Sequence, residues 1–566
     1  MRFLHVSPRW GKSIRVIGIL AVLPFLLPIS RQLLPEALAQ QQVQSGQAGP
    51  VGDVATNPVE QAEKDGTALH ISLKELTKLA LQNNLDIAIS DTNEQMYQQK
   101  IIQNYGYYDP SVVLNLGTGR TRSANSNITN QSSTTFNQRD SANWNVAINQ
   151  YVPTGGYATA LFNSTRTDTN QTASLFTPQL QSTVQLQFTQ PLWRNRRTDQ
   201  TRTSIRLSNL DLKSNDSQFK QSVTNTVASV QSAYWDLVGA IRNYDIVRQS
   251  VELAKVTVEQ NKQKAAIGTL ASITVTEALA AVAAQQMNLI KAKQTILISE
   301  NNVRSVISRD RNADIWHQTI VPTDKADYQD YPVKLEQAIE TALKTRPELE
   351  QYDIQLQQND LTLQLQKNTR KWQFDIVGTL GSNGTAGPQS YTSTGAPKIP
   401  DQFVGNFMSS YRSLFTEGLY LWSVAFNVTI PLKSRTVDAQ MAQTEVARQQ
   451  LLMNRTKVEQ NIIVEIRNAV DNLDTCHEQV DAAKIARDLA EQELEGETER
   501  FDAGLSQNFL VLQRQNDLAT AQGDELQALI AYKKAVITLQ QNMYNLLELN
   551  DFEIAKGTSK TAPSFR

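Results

Sequence analysis

One cysteine and four histidines among 566 residues leave little material for the sites that most enzymes and metalloproteins use. The single cysteine, Cys476, cannot form an internal disulfide, and no metal-ligand spacing surrounds it. The histidines after residue 39 are far apart: His70, His317 and His477. No paired-carboxylate, Cys/His or Ser/His arrangement stands out. We therefore predict no catalytic residues, no metal site and no cofactor, and we interpret Cys476 as a packing residue.

An excess of charge of either sign is also lacking, since the net charge is −2. A balanced chain gives no reason to expect a nucleic-acid partner. Long hydrophobic runs are lacking after residue 39, because no later stretch approaches the roughly 20 apolar residues of a transmembrane helix. If this chain enters a membrane, it does so through β-strands.

The first 39 residues differ from the rest of the chain. Basic residues precede an apolar run at 16–27, and Ala-Leu-Ala at 37–39 matches a cleavage pattern. These features predict a secretory signal peptide at 1–39. A transmembrane anchor is the alternative, although the apolar run is short for a membrane span.

What the sequence does contain is one unit that occurs twice. Each copy has a short alternating stretch, a Pro-Leu pair, a long helical stretch and a glycine. The prolines are Pro191 and Pro431, and the glycines are Gly268 and Gly504. Glycine favours the left-handed conformation that ends many helices, so each long helix should end there and reverse into a second helix.

The two helical stretches share a heptad pattern, with spine residues at alternating steps of three and four. The first-copy positions are Val227, Val230, Tyr234, Leu237, Ile241 and Tyr244, and the second-copy positions are Ile463, Ile466, Val470, Leu473, His477 and Val480. Such a pattern over roughly 70 residues predicts coiled-coil helices about 105 Å long. We interpret His477 as a residue of the helix seam or of a lumen.

Several segments alternate between apolar residues and small or amide-bearing ones, as in strands with one apolar face. They include 112–117, 144–149, 184–189 and 422–430. A half-buried sheet of a soluble protein alternates in the same way. Strands of about ten residues, an amide-rich face and four tryptophans placed near strand ends (Trp144, Trp193, Trp372 and Trp422) favour a lipid-facing barrel. A further hairpin at 143–166 either enlarges this barrel or lies outside it.

These patterns predict the following organisation. Residues 40–70 are polar and without an apolar period, so we expect them to be disordered. A first repeat at 71–309 and a second at 333–548 each hold a helix, strands and a long helical hairpin, with tips near residues 268 and 504. A linker or equatorial region at 310–332 joins them, and 549–566 is a predicted flexible tail.

Together these features resemble the TolC-like outer-membrane efflux proteins, the outer membrane factors. The resemblance rests on the doubled Ala-Leu opening at 80–86 and 342–348, on the Pro-Leu pairs and on the second tip at 500–505. It implies an α+β membrane protein and a homotrimer. Each chain would give four strands to a transmembrane β-barrel of about 12 strands. Its long coiled-coil helices would form a periplasmic α-barrel.

The resemblance also implies a function. The chain would be the outer-membrane channel of a tripartite efflux or type I secretion system in a Gram-negative bacterium. It would sit in outer-membrane lipid, extend into the periplasm and act as a passive duct. Cargo would arrive from a periplasmic adaptor, or membrane fusion protein, and an inner-membrane pump of RND or ABC type. The alternative is a soluble periplasmic coiled-coil scaffold protein.

The two hairpin tips are the predicted adaptor contacts: Gly268, Thr269, Ser272, Gly504, Leu505 and Ser506. In the resembled family, acidic residues six and nine places after the second glycine ring the pore aperture. Here Leu510 and Gln513 occupy those places, and Thr274 and Glu277 follow the first tip at the same spacing. These four residues are the aperture candidates, and Glu277 is the only acidic one. Alternatively, Glu277 is an exposed residue favoured by the helix dipole.

Overall fold

The computed structural model describes residues 57–124, 135–171, 174–310, 312–390 and 398–550. The helices are α1 (Pro58–Asp65), α2 (Leu73–Asn83), α3 (Leu85–Tyr105), α4 (Gln200–Ala266), α5 (Ser272–Ile307), α6 (Leu335–Thr345), α7 (Pro347–Thr369), α8 (Phe407–Thr416), α9 (Arg435–Asp502), α10 (Asn508–Met543) and α11 (Leu546–Leu549). The strands are β1 (Ala68–Ile71), β2 (Ser111–Ala124), β3 (Phe136–Tyr151), β4 (Tyr157–Thr169), β5 (Gln179–Pro191), β6 (Thr319–Pro322), β7 (Gln373–Ala386) and β8 (Tyr420–Thr429). The predicted signal peptide at 1–39 and most of the predicted tail lie outside the described residues.

The same order of elements occurs twice along the chain. Helices α2 and α3 precede strands β2–β5 and the hairpin α4–α5, and helices α6 and α7 precede strands β7 and β8 and the hairpin α9–α10. The long helices α4 and α9 contain 67 and 68 residues, which corresponds to about 100 Å each. Their lengths agree with the heptad pattern of the sequence.

The predicted spine of α4 is the centre of the first hydrophobic core. Its five most buried members are at most 1 % exposed: Val227, Val230, Tyr234, Leu237 and Tyr244. They pack with apolar residues of α2, α5 and β6. The heptad pattern spans two helical turns in every seven residues, so this stripe stays buried on one side of the helix. Its burial explains why the helix stays regular over such a length.

The predicted spine of α9 is wrong at two positions. Ile462 and Cys476 are buried in the second core, next to the predicted Ile463 and His477. Cys476 is 7 % exposed, which confirms its interpretation as a packing residue, and burial raises the pKa of its thiol. His477 is only half-buried, and its Nδ1 lies 2.5 Å from the Tyr328 hydroxyl. Burying the small thiol of Cys476 costs less free energy than burying the polar imidazole of His477, so the imidazole stays at the edge of the core.

Part of the segment predicted to be disordered, 40–70, is ordered. Helix α1 begins after Asn57, whose side chain accepts a hydrogen bond from the Val59 N–H group (3.0 Å), with Pro58 in its first turn. Strand β1 then pairs in parallel with β6. The prediction was wrong here because this order depends on a partner strand far along the sequence.

Buried polar groups fix β1 and β6 to the helices. The Tyr234 hydroxyl donates to Asp324 Oδ2 (2.6 Å), which also accepts from the backbone at the start of α2. Glu300 is 2 % exposed and accepts from Arg304 (2.7 Å) and from the Ile320 N–H group (2.9 Å). Burial raises the pKa of the Glu300 carboxyl group. Strand β6 and its neighbours thus lie at the level of the helical cores.

Six strands form one antiparallel sheet in the order β2-β3-β4-β5-β7-β8. The hairpin predicted at 143–166 corresponds to β3 and β4, and it joins the sheet between β2 and β5. The resemblance implied four strands per chain, whereas this sheet contains six. The extra hairpin is accommodated because its apolar residues fall on the same side as those of its neighbours, so the sheet continues without a break.

Helix α8 packs on this sheet near the ends of β4, β5 and β7. Ser164, Ser182 and Ser410 are completely buried between them, and Ser410 donates to Ser182 (2.9 Å). A Cβ atom added at Gly384 would stand 2.0 Å from the Ser410 carbonyl oxygen. Small residues therefore let the helix approach the sheet closely.

Candidate functional site

Alternate residues of the six strands form one continuous apolar face. Paired residues of antiparallel strands lie on the same face, so the register identifies its members. They include the pairs Leu116–Trp144, Val146–Phe162, Phe162–Val184, Leu186–Leu380 and Leu380–Trp422. Leu116 is 74 % exposed and Trp422 is 69 % exposed. An exposed apolar surface of this extent marks contact with an apolar partner or with lipid.

The opposite face of the same sheet is rich in amides and hydroxyls. Asn115 donates to Asn145 (2.9 Å), and Thr183 donates to Asn383 (3.1 Å). Other residues of this face are Asn143, Asn163, Gln185, Gln187 and Thr379. The two-sided alternation predicted from the sequence is confirmed, and the polar face suits contact with water.

The two outer strands of the sheet have free edges. Strand β2 pairs only with β3, and strand β8 pairs only with β7, within the part of the chain that the structure describes. Every residue of β2 is exposed, as are almost all residues of β8. A row of unpaired backbone groups is a template for pairing with another chain.

The predicted tips are two helix ends of the same construction. Gly268 and Gly504 have φ angles of +77° and +75°, in the left-handed region that glycine adopts without strain. The N–H of the next residue returns to the last turn of the helix, from Thr269 to Lys264 (3.0 Å) and from Leu505 to Arg500 (2.8 Å). This is the Schellman arrangement, which closes the carbonyl end of each long helix.

Polar contacts hold the two tips against each other, and the sequence did not reveal them. Lys264 donates to Asp502 (3.0 Å) and lies 4.3 Å above the Phe501 ring. Asn261 donates through Nδ2 to Asn508 Oδ1 (2.8 Å), and the two residues are 0 % and 3 % exposed. Only an alignment of the two heptad patterns could have placed these residues opposite each other.

The tips also expose large apolar side chains. Ile267 and Ile273 of the first tip are 76 % and 60 % exposed, and Leu505 and Phe509 of the second are 81 % and 64 % exposed. Of the predicted contact residues, Ser272 is exposed and half-buried Ser506 donates to Glu497. Both tips therefore present apolar surface that is accessible to a partner in the single chain.

The four aperture candidates lie in the first turns after the tips. On α5, Thr274 donates to the Ala271 carbonyl (2.6 Å), and Glu277 is exposed. On α10, Leu510 and Gln513 are also exposed. No hydrogen bond or ion pair joins the α5 pair to the α10 pair among the described residues, so the structure does not bring these candidates together in one chain.

The described part of the chain contains no helix long and apolar enough to cross a membrane. Within the same residues, no group of three histidine, cysteine or acidic side chains could hold a metal ion.

Comparison with known proteins identifies the architecture. The family model described as "Outer membrane efflux protein" matches residues 157–309 and 338–543. Three solved structures share the fold. The Campylobacter jejuni CmeC outer membrane channel is 15 % identical, with a TM-score of 0.56 over 94 % of this chain and 96 % of that one. The outer membrane protein VceC from Vibrio cholerae is 14 % identical, with a TM-score of 0.55 over 83 % and 95 %. The Neisseria gonorrhoeae MtrE outer membrane channel is 14 % identical, with a TM-score of 0.54 over 86 % and 91 %.

A comparison with curated proteins gives no match. The family match, by contrast, covers more than half of the chain, including β4, β5 and both long helical hairpins. The family is one of transport proteins, and this favours the channel over the scaffold that the sequence left open. The chain therefore belongs to the outer membrane efflux protein family and is an efflux channel of the outer membrane that extends into the periplasm.

Proposed function

We propose that this channel is the passive duct of a tripartite efflux or type I secretion system. Cargo enters from a periplasmic adaptor and an inner-membrane pump of RND or ABC type. The observation that carries the proposal is the sheet with one apolar and one amide-rich face, continued by helices about 100 Å long. A wall of such strands separates lipid from water, and the helices extend the water-filled path towards the pump.

The free sheet edges support a homotrimer that closes a barrel. Unpaired N–H and C=O groups in hydrocarbon cost several kcal/mol each, so open edges are not tolerated there. Pairing of β2 with β8 of the next copy satisfies both edges and repeats around a closed ring. Three copies of a six-stranded sheet give about 18 strands. A barrel of that size leaves an aqueous channel.

The number of strands distinguishes this chain from the 12-stranded expectation. The family match starts at residue 157, so β2 and β3 lie outside it. Strand β3 nevertheless pairs with β2 over 14 residues and with β4 over 13. Each added strand widens a barrel roughly in proportion, so the pore through the membrane is wider here than four strands per chain would make it.

The tips support docking of the adaptor. Their exposed apolar side chains, Ile267, Ile273, Leu505 and Phe509, lie at the end of the helices farthest from the sheet. A partner that inserts between neighbouring tips covers this surface and competes with the contacts that hold the tips together. Closed and open arrangements would then differ in the packing of α4 against α10.

Two measurements on the purified full chain test the duct. Native mass spectrometry in detergent should show three chains, and planar bilayers should show ion currents through the reconstituted protein. A chain that extracts from membranes in buffer alone and carries no current would instead be the soluble scaffold.

Crosslinking tests the docking surface. With Cys476 replaced by Ala, single cysteines at Ser272 or Ser506 should crosslink, in cells, to a periplasmic protein that mass spectrometry identifies as an adaptor. A cysteine at exposed Asn93 on α3, far from the tips, is the matched control. Equal capture from Asn93 and from the tip positions contradicts docking at the tips.

A further inference from the structure

A cleft lies where the centre of the sheet meets the helices. Trp193 follows β5 and Trp372 precedes β7, and the Leu192 N–H group donates to the Phe374 carbonyl (2.7 Å), which extends the pairing of these strands. The cleft has a volume of about 720 Å³, and the two tryptophans on it are 61 % and 51 % exposed. We refer to it as the Trp193–Trp372 cleft.

Three basic side chains line this cleft: Lys367, Arg370 and Lys371. Three more, Arg194, Arg196 and Arg197, lie in the segment directly after Trp193. Arg370 pairs with Asp438 (3.0 Å). The other five have no ion pair with a described residue. The Arg194 Nε atom is buried and has no hydrogen-bond partner among the described residues. The whole chain has a net charge of −2, so this positive charge is a local feature.

The basic cluster is held in place by the fold. Asn368, which is 6 % exposed, donates to the Thr198 carbonyl (2.6 Å) and to Asn195 Oδ1 (3.2 Å), so the end of α7 is tied to the segment after β5. A second cleft of about 430 Å³ continues from the first one along these segments and is also lined by Lys367 and Lys371. Lys371 Nζ lies 5.8 Å above the Trp193 ring.

The position of the cleft decides what can reach it. Trp372 and Phe374 alternate in step with Ile376 and Leu380, so the cleft opens on the apolar face of the sheet. Strands β5 and β7 are interior strands that are paired on both sides. Neighbouring copies that pair at β2 and β8 therefore leave this surface free.

We propose that the Trp193–Trp372 cleft binds the anionic headgroup of a glycerophospholipid from the periplasmic leaflet of the outer membrane. The inference rests on the proposed function, because the apolar face must face lipid. Tryptophans and basic residues at the end of an apolar strand wall match the level of the headgroups. The phosphate group lies against Lys367 and Lys371, and the acyl chains run along the apolar face past Phe374.

Lipid titration followed by native mass spectrometry tests this site. Full-length protein in detergent is titrated with phosphatidylglycerol or with phosphatidylcholine, and bound lipids are counted. The wild-type chain should bind phosphatidylglycerol more tightly. The double variant Lys367→Gln/Lys371→Gln should bind it about tenfold more weakly or worse. Lys291→Gln/Lys293→Gln on α5 removes the same charge far from the cleft and should change nothing.

Several outcomes would overturn the proposal. Equal binding of the two lipids, or unchanged binding by the double variant, removes the headgroup site. Displacement of the lipid by millimolar inorganic phosphate would show a site for free anions instead. Trimer mass and bilayer current are measured on the same samples. If both are normal while the lipid preference is missing, only this inference fails and the duct stands.

Discussion

The buried pair Asn261–Asn508 gives the sharpest test of how the tips are held together. The pair lies between α4 and α10: Asn261 is about two turns before Gly268, and Asn508 is the first residue of α10. The pair makes a single hydrogen bond, and Asn261 Oδ1 and Asn508 Nδ2 have no other partner among the described residues. Burying such a pair of amides is unfavourable. Removing only one of them is more unfavourable still, because the other amide is then buried without a partner.

The magnitudes follow from this geometry. Asn261→Leu leaves the whole Asn508 amide buried without a partner, and Asn508→Leu does the same to Asn261. Each single change should cost about 1–3 kcal/mol of the free energy of unfolding. The double change replaces both amides by side chains of similar volume, so it should be nearly neutral or stabilising. The coupling energy should therefore be at least about 2 kcal/mol.

The assay is a double-mutant cycle on the reconstituted channel. Denaturation midpoints give the three changes in stability, and currents in planar bilayers give the fraction of time that the channel is open. Each single variant should raise the open fraction, by roughly tenfold for every 1.4 kcal/mol lost from the closed state. The double variant should restore the closed channel.

Two results would refute this reasoning. Single variants as stable as the wild type would show that the amides are not desolvated. A double variant as unstable as the sum of its singles would show that the two residues do not interact.

Two further predictions concern packing away from the tips. Gly384→Ala places a Cβ atom 2.0 Å from a carbonyl oxygen of α8, so it should cost about 1–3 kcal/mol and expose α8 to protease. Gly378→Ala on the same strand and face meets nothing within 4 Å and should be silent; equal effects would contradict the packing of α8. Glu300→Ala leaves the mostly buried Arg304 guanidinium without its carboxylate partner and should cost about 3–5 kcal/mol. Glu340→Ala, at an exposed pair with Lys344, should leave the free energy of unfolding almost unchanged, and a comparable loss for both would contradict the burial of Glu300.

Periodicity made the regular elements predictable. The spine of α4 and the alternation of the strands are local patterns, and each follows from one buried or apolar face. The glycines at both tips were recognisable because only glycine adopts the required backbone conformation at no cost. Even so, the choice between Cys476 and His477 on the spine of α9 could not be made from a pattern in which adjacent positions differ by a rotation of about 100°.

The features that periodicity missed are contacts between segments far apart in the sequence. Strand β1 is ordered by β6, and the Lys264–Asp502 contact joins the two repeats. The sequence alone does not decide whether the hairpin at 143–166 joins the sheet, because alternation is the same inside a barrel wall and outside it. Register decided the question, and register depends on the whole set of neighbouring strands.

The extra hairpin affects the width of the membrane barrel but not the width of the periplasmic tube. In the proposed trimer it adds two strands per chain to the membrane wall, while each chain still gives the same long helices α4, α5, α9 and α10 to the periplasmic tube. Widening the strand wall should leave the packing of α4 against α10 unchanged, because the two described cores that hold the helices contain no residue of the six-stranded sheet. In that trimer the Asn261–Asn508 and Lys264–Asp502 contacts hold the tips together, and we expect the narrowest passage there. Substitutions in these tip contacts should alter the current and the cargo that passes. Substitutions on the polar face of the sheet should alter both far less.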